Sequence, residues 1–240
     1  MGAHPESVEV QRHGCEQLEQ LAFACRNSSQ IAVEGVIEAV LLALALHEQS
    51  AGVQEAGCAA LRNLARNNVE NKLAIAAKGG IEAVLLALAL HEQSAGVQEQ
   101  GCWVLGFLAS NIENSMAIAA KGGIEAVVGA MGANPSSRSV QESGCWVLMN
   151  LAANAENGGA IAAKGGIEAV KGAIRAHPDS TALRKGGNMT LEFIARHRQK
   201  TGEEFLVKML SLELLVESGE SWADAVKAAG VPQVLPVSNP

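Results

Sequence analysis

Two sets of side chains in this sequence have the chemistry to hold a metal or carry redox reactions, and both recur at fixed intervals. His4, His47, His91 and His177 share one register, with Asn134 in the same register between the last two. Cys15, Cys58, Cys102 and Cys145 each follow a glycine and are spaced 43, 44 and 43 residues apart. If that interval is one stacked unit of helices, equivalent residues lie about 8–10 Å apart. Zinc needs imidazole nitrogens within about 2.1 Å of one ion, and a disulfide needs Cα atoms within about 7 Å. Neither chemistry fits. The cysteines read as small buried side chains, and the histidines as helix-terminal residues that meet free carbonyls. Cys25 has no counterpart in the other copies and carries no motif. The chain has no Gly-x-Ser-x-Gly, no His-Glu-x-x-His and no phosphate loop. Its Gly-Gly pairs follow no strand, as a dinucleotide fingerprint would require. No catalytic residue, metal or cofactor is expected.

The elements behind these registers form a helical repeat. A fifth copy of the Gly-Cys position falls at Gly187-Asn188, and Ile37–Glu55 is identical to Ile81–Glu99. Lys-Gly-Gly-Ile-Glu-Ala-Val occurs three times, starting at Lys78, Lys121 and Lys164. A period near 40–47 residues built from helices is the mark of a solenoid, whose function usually resides in its long surface. Near-identity over this length is left by recent duplication or by construction from copied units, and the sequence does not separate the two. Within one copy, Val69–Lys78 reads as a short helix that Gly79-Gly80 breaks. Ile81–His91 is a second, almost wholly apolar helix. Ser94 can cap a third, with Val97, Cys102, Leu105 and Leu108 at a period near 3.6. Nothing shows sustained strand alternation, so the chain is expected to be all-α. The lysines before the glycines are placed to form surface ion pairs with nearby glutamates, each of small worth.

Composition narrows the function. The chain has 240 residues, 48% of them hydrophobic, 3% aromatic and none tyrosine, so packing relies on Ala, Leu, Ile and Val. A net charge of −7 disfavours nucleic-acid binding. The longest strongly apolar run, Ala39 to Leu46, is too short to span a bilayer. Residues 1–30 lack a basic start followed by an apolar run, and Glu6 stands where myristoylation wants Ser or Thr. These features read as a soluble intracellular protein, cytoplasmic or nuclear, with no membrane partner.

The expected organisation is a truncated first repeat at 1–27 consisting of a third helix only, then repeats at 28–68, 69–111, 112–154 and 155–198. Capping helices follow at 199–230, with Glu203–Ser218 amphipathic and Ser221 starting a short helix, and an extended tail at 231–240. A lone third helix at residues 4–27 leaves a face for a partner or for a second copy of the chain.

The three-helix order, the Gly-Gly break and the period resemble armadillo repeats, the family of β-catenin and importin-α. The resemblance covers about residues 4–198. It implies an all-α, right-handed armadillo-type superhelical solenoid of three-helix repeats with a C-terminal helical cap. In peptide-binding members of that family the third helix carries Trp and, four residues later, Asn. Trp146 and Asn150 reproduce the pair in Gly-Cys-Trp-Val-Leu-Met-Asn-Leu-Ala, on one helix face. Elsewhere it is partial: Trp103 is followed by Phe107, Asn63 is preceded by Ala59, and the end repeats read Glu16 with Gln20 and Met189 with Phe193. One turn before the Trp position stand Glu55, Glu99 and Glu142, with Arg12 and Lys185 at the ends. The resemblance implies an extended, basic peptide held along the concave third-helix face by Trp103, Trp146, Asn150, Asn63 and Phe107, with Glu55, Glu99 and Glu142 selecting its charge. A short or weakly held peptide is expected, because only one pair is complete. The competing expectations are that the tryptophans only pack between helices, that the chain is a structural repeat protein forming a dimer or stack through residues 4–27, or that tail 231–240 occupies the groove.

Overall fold

The computed structural model describes residues 1–24 and 34–198. The expected capping helices at 199–230, the tail at 231–240 and Cys25 lie outside them. Among the described residues there are twelve helices and no strand. α1 is Val8–Ala24, and α2 (Glu34–Leu46) and α3 (Ala51–Ala65) follow it. Three units of short, second and third helix come next: α4 (Val69–Ala77), α5 (Gly80–Leu90) and α6 (Ala95–Ala109); α7 (Ile112–Ala120), α8 (Gly123–Ala133) and α9 (Arg138–Ala152); α10 (Ala155–Ala163), α11 (Gly166–Ala176) and α12 (Thr181–Arg198). The third helices pack in one row, α1, α3, α6, α9, α12, and the second helices in a parallel row, α2, α5, α8, α11. The core is continuous between the rows.

Each helix boundary follows from a few residues. Ser50, Ser94 and Ser137 cap the third helices, their hydroxyls accepting from the N–H of Val53, Val97 and Val140. Asn68, Asn111 and Asn154 cap the short helices in the same way. Gly79, Gly122 and Gly165 turn the chain with φ of 85°, 84° and 81°, a left-handed conformation that costs other residues strain. The second glycine of each pair is needed for space: a Cβ on Gly80 or Gly123 would lie 2.7 Å from the carbonyl oxygen of Ile75 or Ile118. That double requirement is why Gly-Gly recurs at this joint.

The glycine before each cysteine also answers to packing. A Cβ there would meet Leu44 at 2.5 Å, Leu88 at 2.7 Å, Met131 at 2.6 Å or Ile174 at 2.7 Å, so each third helix crosses its second helix with no room for a side chain. In α1 the same contact to Gly14 comes from Met1. Residues 1–7 thus stand in for the end of a second helix. Leu61, Leu105, Leu148 and Leu191, three residues after the register of Cys58, Cys102, Cys145 and Asn188, are wholly buried, whereas Leu18 on α1 is partly buried. Each wholly buried leucine contributes about 1.5–3 kcal/mol of apolar burial.

The row of third helices has a different residue at its first member. Ala60, Val104, Val147 and Thr190, two positions after the glycine-cysteine register, are all buried, whereas Gln17 holds that position on α1 and is exposed. The outer side of α1 therefore carries a polar group where the following third helices bury small side chains.

Candidate functional site

The repeated histidines form a ladder of hydrogen bonds to carbonyls of the neighbouring repeat. His47 Nε2 lies 2.7 Å from the Pro5 carbonyl oxygen, His91 Nε2 2.7 Å from that of Glu48, and His177 Nε2 3.1 Å from that of Pro135. Asn134 completes the series by donating to the Glu92 carbonyl at 3.0 Å. Each ring is directed at a different carbonyl, and among the described residues no three His, Cys, Asp or Glu side chains are grouped to hold a metal. Cys15, Cys58, Cys102 and Cys145 are free and buried. Burial pushes the thiols of Cys58, Cys102 and Cys145 up to about 12, and that of Cys15 to about 11. They remain protonated and poorly nucleophilic.

A further repeated constellation escaped sequence reading. Gln54 donates to the carbonyls of Leu44 and His47 at 2.8 and 3.0 Å. Gln98 does the same with Leu88 and His91, and Gln141 with Met131 and Asn134. Gln11 bonds the carbonyls of Met1 and His4 at 2.9 and 2.8 Å. These glutamines are buried and satisfy carbonyls that end a second helix. Their fixed position four residues after the Ser cap was the available signal. The lysine expectation is met: Lys78 pairs with Glu38, Lys121 with Glu82 and Lys164 with Glu125, each across a repeat boundary. The hydrogen bonds from Lys121 and Lys164 lower the carboxyls of Glu82 and Glu125.

The open face of the third helices brings together some of the predicted site residues. Trp103, Phe107 and Trp146 form one half-buried cluster, with ring centroids 5.1 Å apart for the two tryptophans and 4.8 Å for Phe107 and Trp146. Gly106 makes this possible, because a Cβ there would overlap the Trp146 ring. Asn150 lies beside the cluster and donates to the Gly106 carbonyl at 2.9 Å. One amide N–H is used in this way, while an amide has a second donor and an acceptor. The same register on α12 holds Met189, exposed, and Phe193, half-buried.

Asn63 is not part of that cluster. It is buried, donates to the Glu19 carbonyl at 3.3 Å and accepts from Arg62 Nε at 3.4 Å. Two of the predicted glutamates, Glu55 and Glu142, lean toward the start of the next third helix. The Glu55 carboxylate lies against Gly96, in the first turn of α6, where the helix dipole favours an anion. Glu142 accepts from the Ser180 hydroxyl at 2.7 Å and lies 3.6 Å from Arg138. Glu99 is half-buried on α6, one turn before Trp103.

An all-helical stack of three-helix units with a row of third helices defines the armadillo-repeat fold, and comparison with solved structures agrees. The chain is similar to a designed armadillo repeat protein in complex with the peptide (KR)4, at 19% identity and a TM-score of 0.70 over 90% of each chain. It is also similar to two engineered proteins solved by the Northeast Structural Genomics Consortium. One has 23% identity and a TM-score of 0.70 over 93% of this chain and 89% of that one. The other has 19% identity and a TM-score of 0.69 over 92% of both. No family model and no curated protein matches the chain.

Proposed function

We propose that this chain is a non-enzymatic binding scaffold whose third-helix face takes a short, extended, basic segment at the Trp103, Phe107, Trp146 and Asn150 cluster. The observation that carries the reading is the half-buried aromatic cluster on an otherwise small-residue protein, with an amide beside it. Aromatic faces at this depth attract Lys or Arg side chains, and Glu99 adds negative charge one turn away. The structural neighbour bound to (KR)4 supports the same partner class. Because the two tryptophans pack on each other, a partner would lie across the cluster rather than enter a slot between the rings. Asn63, Glu55 and Glu142 are occupied by internal contacts and contribute less than Asn150. Free buried thiols suit a reducing compartment, the cytoplasm or the nucleus.

The test is binding of alternating Lys-Arg peptides by the parent and by Trp146→Ala, Asn150→Ala. Loss of binding in a double variant that keeps its helical circular dichroism supports the face. Retained affinity there removes it.

A second reading, a homodimer through residues 4–27, has one observation in its favour. Leu21 is 55% exposed, while its counterparts Leu64, Leu108, Leu151 and Ile194 are buried. The polar Gln17 counts against it. Sedimentation at high concentration decides: a dimer lost in Leu21→Glu supports this reading, and a monomer ends it.

A further inference from the structure

We infer that Arg62 is a built-in occupant of the N-terminal half of the third-helix face, so that a cationic partner is admitted only at the Trp103 and Trp146 end. This rests on the binding face proposed above and adds what limits the partner's length and register. Arg62 stands four residues after Cys58, the register held by Gly106 after Cys102 and by Met149 after Cys145. On α6 that register is bare and the Trp146 ring lies over it. On α3 it carries a guanidinium that reaches across three third helices. Its Nη1 donates to Gln100 Oε1 on α6 at 2.7 Å, its Nη2 to Glu19 Oε1 on α1 at 3.3 Å, and its Nε to Asn63 Oδ1 at 3.4 Å.

These are the acceptors that an incoming Lys or Arg would otherwise use at this end. Glu19 is the carboxylate, Gln100 and Asn63 the amide oxygens, and one side chain of the protein already engages all three. A guanidinium offers five donors in a planar fork, so a single arginine can saturate the site. The side chain is 24% exposed, neither buried beyond reach nor free in solvent. A partner's cation must displace a tethered competitor present at high effective concentration. At the other end the equivalent position is Gly106, which has no side chain to offer, and the Trp146 ring lies over it.

Peptide length reads this out. An extended chain covers about 3.3–3.6 Å per residue, and neighbouring helices lie about 8–10 Å apart. Four residues therefore span α6 to α9, and eight reach α3. The experiment titrates alternating Lys-Arg peptides of four and eight residues against the parent, Arg62→Met and Arg62→Gln, with circular dichroism as the check on folding. Met already occupies this register in α9 as Met149, and Gln retains polarity without charge.

The expected result is that the parent binds both lengths with affinities within about two-fold. Both variants keep the tetrapeptide affinity and bind the octapeptide about ten-fold tighter, the size of gain that linking a second contact gives. An octapeptide already favoured ten-fold by the parent, or no gain in either variant, overturns the inference and leaves the binding face standing. Absence of binding by all three proteins overturns both.

Discussion

At the α1–α3 end of the third-helix face, Arg62 ties Glu19, Asn63 and Gln100 into one network. At the α6–α9 end, the same register is Gly106, with the Trp146 ring above it and Asn150 bonded to its carbonyl. The backbone scaffold is the same at both ends, down to the carbonyl that receives the asparagine. Asn63 donates to Glu19 and Asn150 to Gly106, and both acceptors lie four residues after their cysteine. Two registers set the ends apart: Arg62 stands where α6 has Gly106, and Glu16 and Ala59 stand where α6 and α9 have Trp103 and Trp146, so one end is bridged by charge and the other presents aromatic rings. A repeat protein can thus keep its interior uniform and write its specificity in a few outward positions.

The largest expected effect breaks the comparison directly. Trp146→Ala with Asn150→Ala should weaken basic-peptide binding by about 30-fold or more, the scale of a central hot spot, whereas Asn63→Ala should leave binding unchanged in a calorimetric titration. Equal losses at both ends would mean that the two halves are functionally alike. Next, Gln98→Ala should cost about 1–3 kcal/mol in urea unfolding, because two carbonyls lose buried partners. Gln54→Ala and Gln141→Ala should cost the same, since the interior does not share the asymmetry of the face.

Gly106→Ala should destabilise by about 1–2 kcal/mol, an overpacking cost against the Trp146 ring partly offset by helix propensity. It should also shift the tryptophan fluorescence. Gly129→Ala, on α8 with nothing within 4 Å of the added carbon, should instead stabilise by about 0.5–1 kcal/mol. A gain from both would show that Trp146 yields freely.

The thiols give a pH test. The unfolded chain loses thiol protons near the ordinary 9.0, but the folded chain holds those of Cys58 and Cys102 to about 12. Raised acid pKa values mean that unfolding releases protons at high pH. Their contribution is complete below pH 9 and lost as pH rises toward 12. Cys15, raised only to about 11, should be alkylated before Cys58 and Cys102 in the native state, and mass-resolved alkylation at pH 9 would show the order. The smallest effect concerns Lys121→Met, which frees an exposed Glu82. Its cost should be a few tenths of a kcal/mol, reduced further by salt and lost in acid as Glu82 takes up its proton.

Much of this was legible in the sequence for one physical reason: local rules set the helices. Ser94 as a cap, Gly79-Gly80 as a break, and the cysteines and histidines as repeated structure all follow from backbone needs met within a few residues. Val97, Cys102, Leu105 and Leu108 announce their buried side by spacing alone. The face was less legible. Trp103, Phe107, Trp146 and Asn150 were identified and do lie together, but Asn63, Glu55 and Glu142 looked equally available and are engaged elsewhere. Arg62 and Gly106 gave no local signal, because their partners lie 38 to 44 residues away, and the buried glutamines showed only a fixed spacing from the Ser cap, since the carbonyls they bond end another helix.

The sequence by itself determined the all-helical repeat, its joints and its capped third helices, since capping, left-handed glycine and apolar period act within a single turn. Only the tertiary structure decided which polar side chains are spent on neighbours and which face outward. That choice depends on how closely successive third helices approach, and on whether a side chain as long as Arg62 or as short as Gly106 occupies the space between them.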